Sequence, residues 1–503
     1  MKTFLKIITA FLLVVSVSCS DSSDDYYPAD NEYIPISGEQ YNAFDENPFI
    51  NTQTEPVSTF AIDADGAAYS NMRRFLNSNT LPERNSVRIE ELINYFNYNY
   101  EEPLDEHPVA LSGEVSSCPW NEEHKLLRIG FKGTTIPDSE LAAANIVLLI
   151  DVSGSMSSDN KLNLLKESFH ILVDEMREND RIAIVTYAGS SEVVLQSTSG
   201  ANKQEIYNAL NNLEAGGSTA GAQGIVTAYD IALQYFVENG NNRIIIGSDG
   251  DFNVGVSSQE ELIDLIESKR DMGIYLTVLG VGIGNLNDAM MEQLADHGNG
   301  NYEYIDNIEQ ARKLFDYEFK KLYTVAKDCK VQIHFNTDYV AQYRLIGYEN
   351  RMLSTDDFTN DAEDAGEIGS SQTITAIYEI ITQPSAPKKE SFHAFTIDFR
   401  YKNPNNNAGS QIQLQVFDYN IPFLNSSENM RFAASVAAFG MLLINSQYKG
   451  NVTYNNVTEW AQNSSNFDLY GFKQEFISLV EKAQTLSTAA NARSRNIFFS
   501  IEE

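Results

Sequence analysis

The apolar positions of this chain fall into distinct regimes, and the changes between them outline an architecture. In the middle of the sequence, apolar runs alternate with helical patterns. Asn145 to Ile150 is a near-continuous apolar stretch with no side left for water, the pattern of a strand buried on both faces of a parallel sheet. Behind it Leu162, Leu165, Phe169, Leu172 and Val173 recur at helical spacing. The same reading predicts strand Ile182–Tyr187, helices over 203–213 and 221–238, and strand Arg243–Gly247. It continues with helix 258–272, strand Ile274–Val281, helix 287–297 and strand Tyr302–Ile305. Strands alternating with helices predict an α/β fold, a doubly wound, mostly parallel sheet spanning residues 141–326. Such sheets bind ligands at the carboxyl ends of their strands, where the strand order reverses.

On both sides of this region the period shortens to two. Residues 109–118 and 125–132 alternate like strands around a polar break at Trp120-Asn121-Glu122. Residues 329–335, 343–348, 373–381, 391–401 and 411–417 do the same between loops rich in Asn, Asp and Gly. Segments 107–140 and 327–420 therefore read as two parts of one β-sandwich-like domain into which the α/β domain is inserted. Residues 41–106 form a separate N-terminal region, in which Ile89, Leu92, Ile93 and Phe96 share one helical face over 86–96. Residues 421–503 form a C-terminal helical region, with amphipathic helices over about 427–446 and 467–487. Residues 19–40 are polar and aperiodic, as a linker is.

Composition narrows the setting. A chain of 503 residues is too long for one hydrophobic core, and 43% apolar residues with 26 Tyr and 27 Phe describe a packed protein. Lys plus Arg is 35 against 70 Asp plus Glu, a formal charge of −35 that repels phosphate backbones and excludes nucleic acid as a partner. Residues 1–18 have the form of a signal peptide: Lys2 and Lys6 precede an apolar run, Ile7 to Val17, too short to cross a bilayer. The run ends at Ser16-Val17-Ser18-Cys19, which resembles a bacterial lipobox, although that pattern prefers Leu where Ser16 stands. The resemblance implies acylation of Cys19 and a lipoprotein of the bacterial cell envelope, anchored to the outer membrane on its periplasmic or outer face. The acidic run Ser20 to Asp25 resembles the surface-export signals of some lipoproteins. With Cys19 lipidated, Cys118 and Cys329 remain. Both a disulfide between them and two separately buried thiols are compatible with the sequence.

The strongest chemical signal follows the first central strand. In Asp151-Val152-Ser153-Gly154-Ser155, three oxygen-bearing side chains at alternate positions converge at a strand's carboxyl end. Hydroxyl and carboxylate oxygens suit hard cations, and this donor set suits Mg²⁺, with Mn²⁺ or Ca²⁺ as alternatives. Two further segments fall where such a site needs them. Ala215 to Gly221 is a glycine-rich loop offering Thr219, and Ser248-Asp249-Gly250 follows the next buried strand. Asp151, Ser153, Ser155, Thr219 and Asp249 together resemble the metal-ion-dependent adhesion site of von Willebrand factor A domains. That resemblance implies direct contacts from Ser153, Ser155 and Thr219, with Asp151 and Asp249 acting largely through water. It also implies a protein partner whose Glu or Asp carboxylate completes the metal's shell.

The resemblance continues outside the domain. Glu46 to Phe49, Ser58 to Asp65, Val87 to Phe96 and Tyr343 to Arg351 are similar to the flanking segments of bacterial von Willebrand factor A-domain lipoproteins of the YfbK type. The expected function is binding rather than catalysis. A structural envelope scaffold, in which the metal only stabilises the domain, is the alternative. An enzymatic reading rests on Phe60 to Gly66, which looks like the first motif of haloacid-dehalogenase phosphotransferases with Asp63 as nucleophile. No strand–helix series follows it. The same segment lacks the closing Glu of an EF-hand, since position 74 is Arg. The six His are scattered, no G-x-S-x-G elbow is present, and no His or Cys pair has zinc-like spacing.

Overall fold

The computed structural model describes residues 38–62, 65–216, 222–250, 259–360, 365–386, 392–404 and 408–501. The signal-peptide and lipobox segments, Cys19, most of the 19–40 linker, Asp63 and Thr219 lie outside the described residues. At the centre is a six-stranded sheet in the order Tyr302–Ile305, Ile274–Val281, Asn241–Ser248, Ala144–Asp151, Arg181–Tyr187, Ser191–Ser199. All neighbours run parallel except the last pair.

Strand Ala144–Asp151 is buried at all eight positions because helices cover both faces. Ile146, Leu148 and Ile150 point into a core shared with Leu165, Phe169, Leu172 and Val173 of helix Leu164–Glu175. Val147 and Leu149 point the other way, toward Ile225, Ala228, Tyr229 and Ala232 of helix Ala222–Gln234. The one polar residue inside the strand, Asn145, is satisfied by the carbonyl of Ala232 at 2.9 Å and Oδ1 of Asn242 at 3.2 Å. Helices Gln259–Arg270 and Asp288–His297 complete the second face. This is the doubly wound arrangement that the period predicts. The antiparallel edge strand Ser191–Ser199 escapes that reading, because only Leu195 in it is buried.

The α/β domain is inserted between two strands of a β-sandwich, His124–Gly133 before it and Thr324–Phe335 after it. One sheet runs Ile50–Asn51, Val340–Ile346, Thr373–Thr382, His124–Gly133, Val109–Ser117. The other runs Met352–Leu353, Val57–Ala61, Thr324–Phe335, Phe392–Lys402, Gly409–Asp418. Leu127, Ile129 and Phe131 of the first sheet meet Val331, Ile333, Phe395, Ile397 and Phe399 of the second in a common core. The sandwich draws on more of the chain than 107–140 and 327–420. Ile50–Asn51 and Val57–Ala61, from the region expected to stand apart, supply a strand to each sheet.

A third layer of helices packs on the outer face of the first sheet. Leu126, Ile346 and Ile377 join Leu92, Ile93, Phe432, Ala433, Phe439 and Phe476 there. The helices are Ile89–Asn94, Glu428–Leu443, Tyr454–Gln462 and Phe472–Ile501. The first sheet is thus covered on both faces, and Thr373–Thr382 is buried at eight of ten positions. Its helix-facing Glu379 is satisfied by Arg344 at 2.9 Å and His124 at 2.6 Å.

The three layers explain the cysteines. Cys118 is buried among the helix-facing side chains and Cys329 between the two sheets, so the two thiols lie in different cores and are free. The disulfide reading of Cys118 and Cys329 is corrected accordingly, and they are two separately buried thiols.

Ion pairs fix the inserted domain to its frame. Arg88 pairs with Glu91 and reaches Asp288 at 2.7 Å and Glu292 at 3.7 Å. Arg351 forks onto Asp296 at 2.8 and 2.9 Å. Arg73 donates to Asp306 at 2.8 Å and to Tyr95 at 2.9 Å.

Candidate metal centre

Asp151 is the last residue of the central strand, where the neighbours on its two sides, Arg181–Tyr187 and Asn241–Ser248, lead away in opposite directions along the sheet. This is the switch point expected to carry a ligand. Asp151 is completely buried. Its Oδ1 accepts the backbone N–H of Ser153 at 2.8 Å, which folds the chain back over the strand end as a short Asx turn. Its Oδ2 accepts the hydroxyl of Ser248 at 3.3 Å. Burial, opposed by these hydrogen bonds and reinforced by the charge of Asp249, pushes the Asp151 carboxyl up to about 6.

The turn continues into a single 3₁₀ turn, Gly154–Ser157, held by Met156 N–H donating to the Ser153 carbonyl at 3.0 Å. Met156 is fully buried in the core beneath and pins the loop from inside. The hydroxyl oxygens of Ser153 and Ser155 are brought to 2.9 Å from each other. Two backbone bonds fasten the loop on either side: Val152 N–H to the Tyr187 carbonyl at 3.0 Å, and Gly216 N–H to the Val152 carbonyl at 2.7 Å. The second holds Gly216 against the Asp151–Ser155 loop.

Asp249 follows strand Asn241–Ser248 and is also completely buried. Burial raises its carboxyl, but hydrogen bonds from Lys161, Asn285 and Ser155 and the charge of Lys161 outweigh it, so the group stays below the usual Asp range. Four of the five expected residues, Asp151, Ser153, Ser155 and Asp249, therefore gather at one edge of the sheet. Thr219 belongs to the fifth position and lies outside the described residues.

The donor set fits a small hard cation. Octahedral Mg²⁺, with bonds of about 2.0–2.1 Å, sets neighbouring oxygens about 2.9 Å apart, whereas the longer bonds of Ca²⁺ spread them further. The Ser153–Ser155 separation of 2.9 Å matches the smaller ion, and the same contact is a good hydrogen bond. Among the described residues no group of three or more His, Cys, Asp or Glu converges as a metal cage. Any ion here would therefore depend on hydroxyl oxygens, with carboxylates behind them.

Sequence reasoning overlooked three neighbours of this site. Ser248 supplies a hydrogen bond to Asp151, and Tyr187 lies close enough that the Asp151 charge, after burial, helps to hold its phenol well above the usual range. Lys161 donates to Asp249 Oδ2 at 2.8 Å and to Asn285 Oδ1 at 3.0 Å. Lys161 stands only ten residues beyond Asp151, but nothing in its local pattern marks it as a site residue.

A sequence model for the von Willebrand factor type A domain matches residues 145–317, one described as von Willebrand factor matches 35–128, and one for the C-terminal part of the uncharacterized protein YfbK matches 320–486. The uncharacterized protein YfbK of Escherichia coli (strain K12) is 40% identical over 471 residues, covering 88% of this chain and 81% of that one. The uncharacterized protein sll0103 of Synechocystis is 25% identical over 181 residues, 36% of this chain and 42% of that protein. Among solved structures, a von Willebrand factor type A protein from Catenulispora acidiphila aligns over 76% of this chain and 91% of its own, at 14% identity and a TM-score of 0.43. Because it is 40% identical along most of its length to the Escherichia coli protein, the chain belongs to the YfbK family of von Willebrand factor type A domain proteins.

Proposed function

We propose that this chain binds a protein partner through a divalent ion, Mg²⁺ in the first place, held at the Asp151–Ser155 loop, and that it is not an enzyme. The observation that carries this reading is the pair of Ser153 and Ser155 hydroxyls, 2.9 Å apart, set over the buried carboxylates Asp151 and Asp249. Bound there, the ion supplies a Lewis-acidic position for a Glu or Asp carboxylate of the partner. The chain's own part is to hold the loop in shape before any partner arrives. Asp151 fixes Ser153 through its backbone N–H, and Met156 anchors the turn in the core. Neutral hydroxyls as the nearest donors leave positive charge on the ion, which favours an outside anion. Mn²⁺ and Ca²⁺ are the alternatives. Cys19 is proposed as the lipid attachment point that places the protein in the bacterial envelope, at the outer membrane. Among the described residues no helix is long and apolar enough to cross a membrane.

The experiment is a pull-down from envelope extract with Mg²⁺ and with chelator, using wild type and Asp151→Ala. A protein retained by wild type in Mg²⁺, and lost with chelator and in the variant, is the expected result. Retention that survives both changes overturns the reading. The second reading, a scaffold whose metal only stabilises the domain, is favoured by the ion pairs of Arg88, Arg351 and Arg73 with acidic residues of the inserted domain. It is the better account if Mg²⁺ raises the melting temperature but no retained protein depends on it.

A further inference from the structure

Lys161 lies in the irregular turn Asp159–Asn163, between the metal loop and the first helix of the α/β domain. Its side chain is 9% exposed, and its ammonium donates to Asp249 Oδ2 at 2.8 Å and to Asn285 Oδ1 at 3.0 Å. The slot it occupies is built for it. Gly282 has a φ of +76°, and a Cβ there would run into the methylene stem of Lys161. Gly250, at φ +109°, lets the corner after Asp249 close onto the loop carrying Asn285, where a Cβ would come within 2.5 Å of the Asn287 nitrogen. Two glycines with left-handed backbone thus bring Asp249, Lys161 and Asn285 together in a largely buried corner.

A buried ammonium beside one of two site carboxylates has two effects. It neutralises Asp249, which could not otherwise sit unpaired out of water next to Asp151. It also repels any divalent ion a few ångströms away, because like charges interact strongly where water is largely excluded. We propose that Lys161 is a built-in counter-cation of the metal centre, a positioning residue that holds Asp249 and competes with the divalent ion for its charge. The inference rests on the metal-binding reading of the site and deepens it. Affinity for the ion is held down by a residue of the same domain, so the site loads and empties with the surrounding ion concentration instead of keeping its metal permanently.

The test is a calorimetric titration with Mn²⁺ alone of the full chain as wild type, Lys161→Met and Lys161→Gln, with melting temperatures recorded in chelator and in Mn²⁺. Met keeps much of the stem without charge or donor, and Gln keeps a donor without charge. Both variants are expected to bind Mn²⁺ about tenfold more tightly than wild type, or better. Both should melt lower than wild type in chelator and gain more from the ion. A residue that only kept the loop in shape would not produce tighter binding when removed. Unchanged or weaker binding in both variants, with wild type binding Mn²⁺, overturns the role of Lys161 and leaves the metal site standing. If neither wild type nor variants bind Mn²⁺, the metal-binding reading falls, and this inference with it.

Discussion

Replacing Arg88 by Met should loosen the inserted domain from its frame, and the loss should depend on pH in a predictable direction. The guanidinium is 5% exposed and faces three carboxylates: Glu91 on the helix that begins just after it, and Asp288 and Glu292 on helix Asp288–His297 of the α/β domain. Arg351 and Asp296 adjoin the cluster, and Glu91 also accepts the Ala68 N–H at 2.7 Å. Breaking a buried pair by removing one partner costs about 3–5 kcal/mol, because the other charge is left without compensation. Here the carboxylates have an escape. Burial, opposed by Arg88 and reinforced by neighbouring acids, already pushes Glu91 up to about 8 and Glu292 up to about 7. Without Arg88 both rise further and take up protons. The full cost should therefore be felt at pH 8.5 and much of it recovered at pH 5.5. Wild type shares the sign: a carboxyl raised in the folded state contributes stability that is complete below its unfolded value and lost as pH climbs through the folded one. Wild type should thus melt lower at pH 9 than at pH 6. Calorimetric melting at both pH values for both proteins is the assay. For a unit of this size 3–5 kcal/mol corresponds to roughly 5 °C, extending the known size dependence. A variant within 1 °C of wild type at pH 8.5, or a loss that grows toward pH 5.5, would refute the reasoning.

Three further outcomes are expected. Leu148→Ala removes a fully buried side chain from the middle of the central strand and should cost about 2–5 kcal/mol, read as a lower melting temperature with metal response retained in the surviving fold. Cys118 and Cys329, both free and with thiols pushed up by burial, should resist alkylation in the native protein, yet both should react in denaturant without reductant. Failure of either to react in denaturant would point to a disulfide. Cys19→Ser should move the protein from the membrane fraction to the soluble fraction of a producing bacterium, and unchanged fractionation would refute lipidation at that residue.

The convergence of oxygens in the Asp151–Ser155 loop was legible in the sequence because it is local. Asp151, Ser153 and Ser155 lie within five residues at the end of an apolar run, and one Asx turn is enough to bring their oxygens together. Asp249 was legible for a similar reason, since a second buried strand ends just before it. Lys161 was not. Its position depends on the missing side chain of Gly282, more than a hundred residues away, and on a loop that turns back through Gly250. The sandwich shows the same division. Thr373–Thr382 and Phe392–Lys402 announce themselves through their apolar residues, whereas Val57–Ala61 is a five-residue strand whose ladder partner begins at Thr324. No local period could assign it to a sheet formed so far along the chain. The edge strand Ser191–Ser199 fails for a different reason, since a strand that buries one apolar side chain leaves almost no pattern to read.

The central claim is that Ser153 and Ser155, backed by Asp151 and Asp249, hold a divalent ion. Its most direct test is equilibrium titration of the purified, chelator-treated chain with Mg²⁺ and Mn²⁺, comparing wild type with Ser155→Ala and Asp151→Ala. The account predicts saturable binding at a single site in wild type, at least tenfold weaker in Ser155→Ala and absent in Asp151→Ala, with both variants still folded by circular dichroism. Wild type that binds neither ion, or binding that both substitutions leave unchanged, would contradict it.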